Sequence, residues 1–252
     1  MRVMIRVAYD GTAYCGWQVQ PEAVTIEGML NKALSELLSE DIHVIGTSRT
    51  DSGVHALGNV AVFDTSTRIP AEKICLALNA RLPEDIVVQE SVQVADDFHP
   101  RKCVSEKTYE YRILSRQRQL PLLRYNTYYT RYPLDISLMQ AAGDILVGEH
   151  DFKGFCSIKT QAETTVRTIY SLTVSQEQLT CGGSIYTIRV TGSGFLYNMV
   201  RIIAGTLLEA GTKKRSLEEV RRAVETGERR CAGPTAPPQG LTLVGIKFED
   251  EV

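Results

Sequence analysis

A chain of 252 residues, 43% of them hydrophobic, can bury a sizeable core as one large domain or as two small ones fused together. No apolar run approaches the roughly 20 residues that cross a bilayer, and the start of the chain alternates instead of forming a secretory apolar block, so a cytoplasmic protein with no membrane partner is expected. The net charge of −2 argues against a nucleic-acid partner only on average, because residues 1–100 carry 7 Lys/Arg against 14 Asp/Glu and the remainder carries 21 against 16.

Val3, Ile5 and Val7 alternate as in a half-buried strand and run into the turn pair Asp10-Gly11. Thr25 has the chemistry of an N-cap, and Ile26, Met29, Leu30, Ala33, Leu34, Leu37 and Leu38 follow at helical spacing. Short strands are predicted over 42–45 and 59–63. Pro70 is placed to open a helix that stops at Leu82-Pro83, and residues 86–94 read as a further strand. This β-α-β-β-α-β order is that of a ferredoxin-like unit.

The second half repeats the order without repeating the residues. A strand is expected over 107–114, a helix over 135–146 capped by Asp135, and strands over 165–174 and 184–191 around the Gly182-Gly183 turn. An apolar helix is expected over 195–210. Ser216-Leu217-Glu218-Glu219 is a capping box opening a helix to Thr226, and residues 241–248 form the closing strand. Residues 116–131 are the nearest thing to a linker.

Six scattered cysteines without a CxxC pair suit small buried hydrophobes better than a disulfide or metal framework. The four histidines have neither nucleophile nor metal spacing and read as structural hydrogen-bonders; Glu149-His150-Asp151 reads as a helix cap and turn. Between Arg101 and Tyr132, eight basic residues face only Glu106 and Glu110, with six tyrosines among them (109, 111, 125, 128, 129 and 132). Cations attract phosphates and aromatic rings stack on bases, although an ordinary solvated strand and loop has the same composition.

The densest unusual stretch is Gly46-Thr47-Ser48-Arg49-Thr50-Asp51-Ser52-Gly53-Val54-His55-Ala56, joining two strands. Small neighbours let a substrate approach one carboxylate closely, and a guanidinium two positions away favours its ionised form. An oriented, ionised Asp is a candidate nucleophile or base, while Arg-x-Asp alone in a loop is more often a structural ion pair, and only the whole string is specific.

Residues 49–56 resemble the signature of the tRNA pseudouridine synthase A family, usually GAGRTDAGVHA. Further similar segments follow in order at 9–18, 97–101, 107–112, 148–152, 194–201 and 236–241. Thr47-Ser48, Ser52 and Pro100 depart from the usual pattern. The resemblance implies an α+β fold of two fused ferredoxin-like halves, 1–104 and 105–252, forming one extended, mostly antiparallel sheet with helices on one face and a central catalytic cleft. It implies isomerisation of uridine to pseudouridine in the anticodon stem-loop of tRNA, with Asp51 as the catalytic carboxylate and with no cofactor and no metal. Arg49 corresponds to an arginine that helps flip the target base, Tyr109 to a tyrosine packing on the uracil, and Arg201 to an arginine expected to pair with the carboxylate. A homodimer is also implied. The rival readings are a non-catalytic RNA-binding module, which lacks an RNP-type aromatic string here, and an aspartate-nucleophile hydrolase, which lacks the second aspartate and metal ligands.

Overall fold

The computed structural model describes residues 1–157 and 163–249. Two compact units divide the chain: residues 1–105 together with the segment from Thr242 onward, and residues 106–241. The closing strand thus counts with the first unit, whereas the sequence places it in the second half.

The first unit opens with β1 (Arg2–Tyr9), α1 (Ile26–Leu38), β2 (Ile45–Gly46), β3 (His55–Asp64), α2 (Ala71–Asn79) and β4 (Ile86–Val94). β1 lies antiparallel between β4 and β3, and β2 pairs antiparallel with β3. That is the ferredoxin-like arrangement expected from the element order. The alternation of Val3, Ile5 and Val7 holds, but Met4 is buried as well because β1 is an interior strand with pairing on both sides. Thr25 caps α1 by accepting from the Gly28 N–H at 3.3 Å. The helix buries Ile26, Leu30, Ala33 and Leu34, and each of the larger side chains contributes about 2 kcal/mol.

β2 is shorter than the spacing predicts and β3 longer. Tyr9 of β1 pairs with Ala56, and a later strand pairs with His55 and Ala56, so tertiary partners recruit residues of weak strand propensity. Pro70 stands one position outside α2, as its N-cap.

The second unit contains β5 (Ser105–Ser115), β6 (Tyr128–Thr130), α3 (Ile136–Asp144), β7 (Gly148–Asp151), β8 (Val166–Gln178), β9 (Ser184–Gly192), α4 (Met199–Gly211) and α5 (Leu217–Thr226). β9 lies antiparallel between β5 and β8, β7 pairs antiparallel with β8, and β6 runs parallel to β5. The chain then enters β10 (Leu241–Phe248), whose Thr242 and Leu243 pair parallel with His55 and Ala56 of β3.

Three local expectations are corrected here. Glu149-His150-Asp151 is part of β7, since strand pairing with β8 outweighs the turn tendency of a short polar segment. The linker-like residues 116–131 hold a 3-10 turn at Pro121–Leu123 and strand β6. The apolar stretch from Phe195 becomes helical only at Met199, because Asn198 takes a left-handed conformation (φ 62°, ψ 4°) that a helix cannot pass through. Asp135 caps α3 and the Ser216–Glu219 capping box opens α5 as their residue types predict.

Candidate active site

In the first unit, Asp51 is half-buried on the loop between β2 and β3, and the Arg49 side chain is exposed. The residues around Asp51 are tied down one by one. The Ser48 carbonyl accepts from Asn59 Nδ2 at 3.0 Å, and Asn59 is fully buried on β3. The Thr50 hydroxyl shares a buried 2.8 Å hydrogen bond with Tyr9 of β1, and the Thr50 carbonyl accepts from the Trp17 N–H at 3.0 Å. Beyond the carboxylate, the Val54 N–H donates to the Asp51 carbonyl, while the Gly53 N–H and the Ser52 hydroxyl both donate to the Tyr14 carbonyl. Tyr14 is itself fixed by donating its phenol to Asp85 at 2.6 Å. Burial, then the Asp85 carboxylate beside it, push the Tyr14 phenol well above its ordinary pKa, so it remains a neutral donor.

Two glycines in the segment before α1 make this packing possible. Gly11 passes so close to the Val54 carbonyl that a Cβ would stand 2.0 Å from its oxygen. Gly16 holds φ +86° and would place a Cβ 2.6 Å from the Thr50 carbonyl oxygen. The segment 9–18 therefore forms the bed on which the Asp51 loop lies. Composition offered no sign of this; the side chains of Tyr9, Tyr14 and Asn59 entered through distant partners that carry no local periodicity.

Other groups surround the loop. His55 is buried, and its Nδ1 accepts from the Gly11 N–H at 3.1 Å in the neutral ring; the same atom lies 3.1 Å from the Asp10 carboxylate and pairs with it when protonated. Arg101 reaches the start of the loop, donating from Nε to the Gly46 carbonyl at 2.7 Å. Burial, and then the nearby Arg49 guanidinium, lower the Arg101 pKa. Two cations thus flank the loop that carries the carboxylate.

The second unit holds the other two candidates. Tyr109 on β5 is 7% exposed and stands edge-on to Phe195, with ring centroids 5.3 Å apart. Arg201 lies in the first turn of α4, where Nε donates to the Ala236 carbonyl at 2.7 Å and Nη1 to the Asn198 side chain at 3.0 Å. The left-handed Asn198 that delays the helix therefore also orients this guanidinium. Not every tyrosine between 101 and 132 is available for stacking: Tyr111 is fully buried with its phenol donated to the Pro237 carbonyl, and burial pushes its pKa up, whereas Tyr125 and Tyr132 are exposed.

Among the described residues, no group of three or more His, Cys, Asp or Glu side chains is arranged to hold a metal ion, and no helix is long and apolar enough to cross a membrane.

With that geometry in view, similarity to known proteins decides the family. The family described as tRNA pseudouridine synthase matches residues 5–101 and 142–249. The chain belongs to that family. It is 46% identical to tRNA pseudouridine synthase A of Thermoanaerobacter sp. (strain X514) over 246 residues, covering 98% of this chain and 99% of that protein. Identity to the protein of the same name from Caldicellulosiruptor bescii is 42%, again over 98% of this chain and 99% of the relative. For Halalkalibacterium halodurans it is 44%, over 95% of this chain and 90% of the relative. The family match begins within β1 and takes in the whole Asp51 loop, so the segment bedded on Gly11 and Gly16 lies inside the shared region.

Proposed function

We propose that this chain isomerises uridine to pseudouridine in tRNA, with Asp51 as the essential carboxylate. The observation that carries the reading is the family membership together with the anchoring of the Asp51 loop, whose flanking residues are held by Tyr9, Tyr14, Trp17 and Asn59. A carboxylate positioned in advance need not be reorganised during the reaction.

The net chemistry is balanced without a redox partner. The bond from C1′ of the ribose to N1 of uracil breaks, a bond from C1′ to C5 forms, C5 loses its proton to solvent and N1 gains one. Reaching a base within a stem requires extrusion, which costs a few kcal/mol. The exposed Arg49 is suited to meeting the displaced strand, and Tyr109 and Arg201 are assigned to substrate binding on the family resemblance. The uridines would lie in the anticodon stem-loop, the protein would work in the cytoplasm, and a homodimer would present it to the tRNA.

The test is incubation of the purified protein with tRNA transcript tritiated at C5 of uridine, without added metal or cofactor. Tritium release by the wild type and none by Asp51→Asn is the expected result. Tight tRNA binding with no release from several tRNAs would favour a binding module instead. Release that persists in Asp51→Asn would remove Asp51 from its role while leaving the isomerisation intact.

A further inference from the structure

In the second unit, outside the residues assigned above, two cations stand beside one exposed ring. Arg131 Cζ and Lys214 Nζ each lie 5.3 Å from the centre of the Tyr132 ring, and Arg131 Nη2 donates to the Tyr132 hydroxyl at 3.3 Å. Both cations favour the phenolate and lower the Tyr132 pKa, led by the hydrogen bond from Arg131. Lys213 and Lys214 also line an open cleft of about 400 Å³ with Arg215, Ser216 and Glu219.

The other charges around the cleft are already engaged. Arg215 is held by Glu209 at 2.8 Å and by the Cys231 carbonyl at 2.6 Å, and it lies 3.6 Å from Glu219. Glu219 accepts from the Ser216 N–H and hydroxyl, which closes the capping box and satisfies the start of α5. By contrast, no ion pair forms at Arg131, Lys213 or Lys214 among the described residues. All three are exposed. Cations brought together without carboxylates repel one another, and an anion between them relieves that repulsion. The cleft is open, without a buried polar group to fix a small ligand, and the long side chains span several ångströms. Successive phosphates of a polynucleotide suit such an array.

We propose that Arg131 and Lys214, which flank Tyr132, together with Lys213 beside Lys214 in the cleft, are a phosphate-binding surface for the tRNA backbone, contributing affinity and not chemistry. This rests on the tRNA reading above. The experiment compares wild type with R131Q/K213Q/K214Q, measuring tRNA dissociation constants across salt concentrations and tritium release at rising tRNA. Loss of three phosphate contacts should reduce the slope of log affinity against log salt by roughly 2, and weaken binding on the order of 10- to 100-fold near 0.1 M salt. KM should rise while kcat at saturating tRNA is kept. The charge-preserving R131K/K213R/K214R should recover most of the slope, which a merely misfolded variant would not explain. An unchanged slope in an active, folded neutral variant overturns the inference alone, as does a fall in kcat with the slope unaltered. A wild type that releases no tritium overturns the synthase reading, and this surface as a tRNA contact falls with it.

Discussion

The Tyr9 phenol and the Thr50 hydroxyl share a buried hydrogen bond of 2.8 Å although 41 positions separate them in the chain. It joins the last residue of β1 to the residue before Asp51. Asn59 Nδ2 also donates to the Tyr9 oxygen at 3.4 Å and to the Ser48 carbonyl at 3.0 Å, so one buried cluster holds the loop at Ser48 and Thr50, on either side of Arg49. Tyr9→Phe should cost about 1–2 kcal/mol of stability, since it leaves polar groups of Thr50 and Asn59 short of a partner. If the loop is a preorganised carboxylate holder, kcat should fall with little change in KM. Denaturant melting and tritium-release kinetics on the same preparation measure both effects.

Gly16 supports the same loop from below, through backbone shape. An alanine there would meet the Thr50 carbonyl and would have to adopt φ +86°. Gly16→Ala should destabilise the protein by about 1–3 kcal/mol, with a lower thermal midpoint and slower tritium release. A midpoint within error of the wild type would mean that the 14–18 segment can shift without disturbing Asp51.

Asp10 gives the stability of this region a pH signature. Burial opposes ionisation of its carboxyl, but hydrogen bonds from the Thr12 hydroxyl at 2.6 Å and N–H at 3.0 Å, with His55 alongside, bring its pKa below the ordinary carboxylate value. A folded pKa below the unfolded one contributes stability fully above the unfolded value, about 3.9, and that contribution is lost as pH falls through the folded value. The wild type should therefore melt at a higher temperature than Asp10→Ala at pH 6, with the gap narrowing as the pH is taken from about 5 to 3. A gap independent of pH would show that the Asp10 interactions do not depend on its charge.

Arg201 tests geometry separately from charge. Its Nε and Nη1 reach two different acceptors, Ala236 O and Asn198 Oδ1, and a single ammonium cannot reproduce that fork. Arg201→Lys should lose about 1–2 kcal/mol of stability and turn over more slowly than the wild type. Full turnover in the lysine variant would reduce the requirement at this position to a positive charge.

Much of the local structure was legible because it depends on near neighbours. The caps at Thr25, Asp135 and Ser216 and the strand Ile86–Val94 follow from side-chain chemistry or period within a few residues. Misreadings occur where distant contacts override local tendency: β3 reaches back to His55 through pairing with Tyr9 and with β10, and Asn198 turns left-handed where apolar spacing predicts helix.

The same division governs the site. The string from Arg49 to Ala56 was enough by itself to single out Asp51 as the carboxylate of interest and to point to the family, because residue identity and order are all that a motif needs. Which groups hold the loop around Asp51 in place was decided only by the fold. Tyr9, Tyr14, Gly16 and Asn59 act through hydrogen bonds and close approaches to the loop, and such partners leave no periodic trace along the chain. Likewise Arg131 and Lys214 belong to one surface only because the second unit folds both against Tyr132.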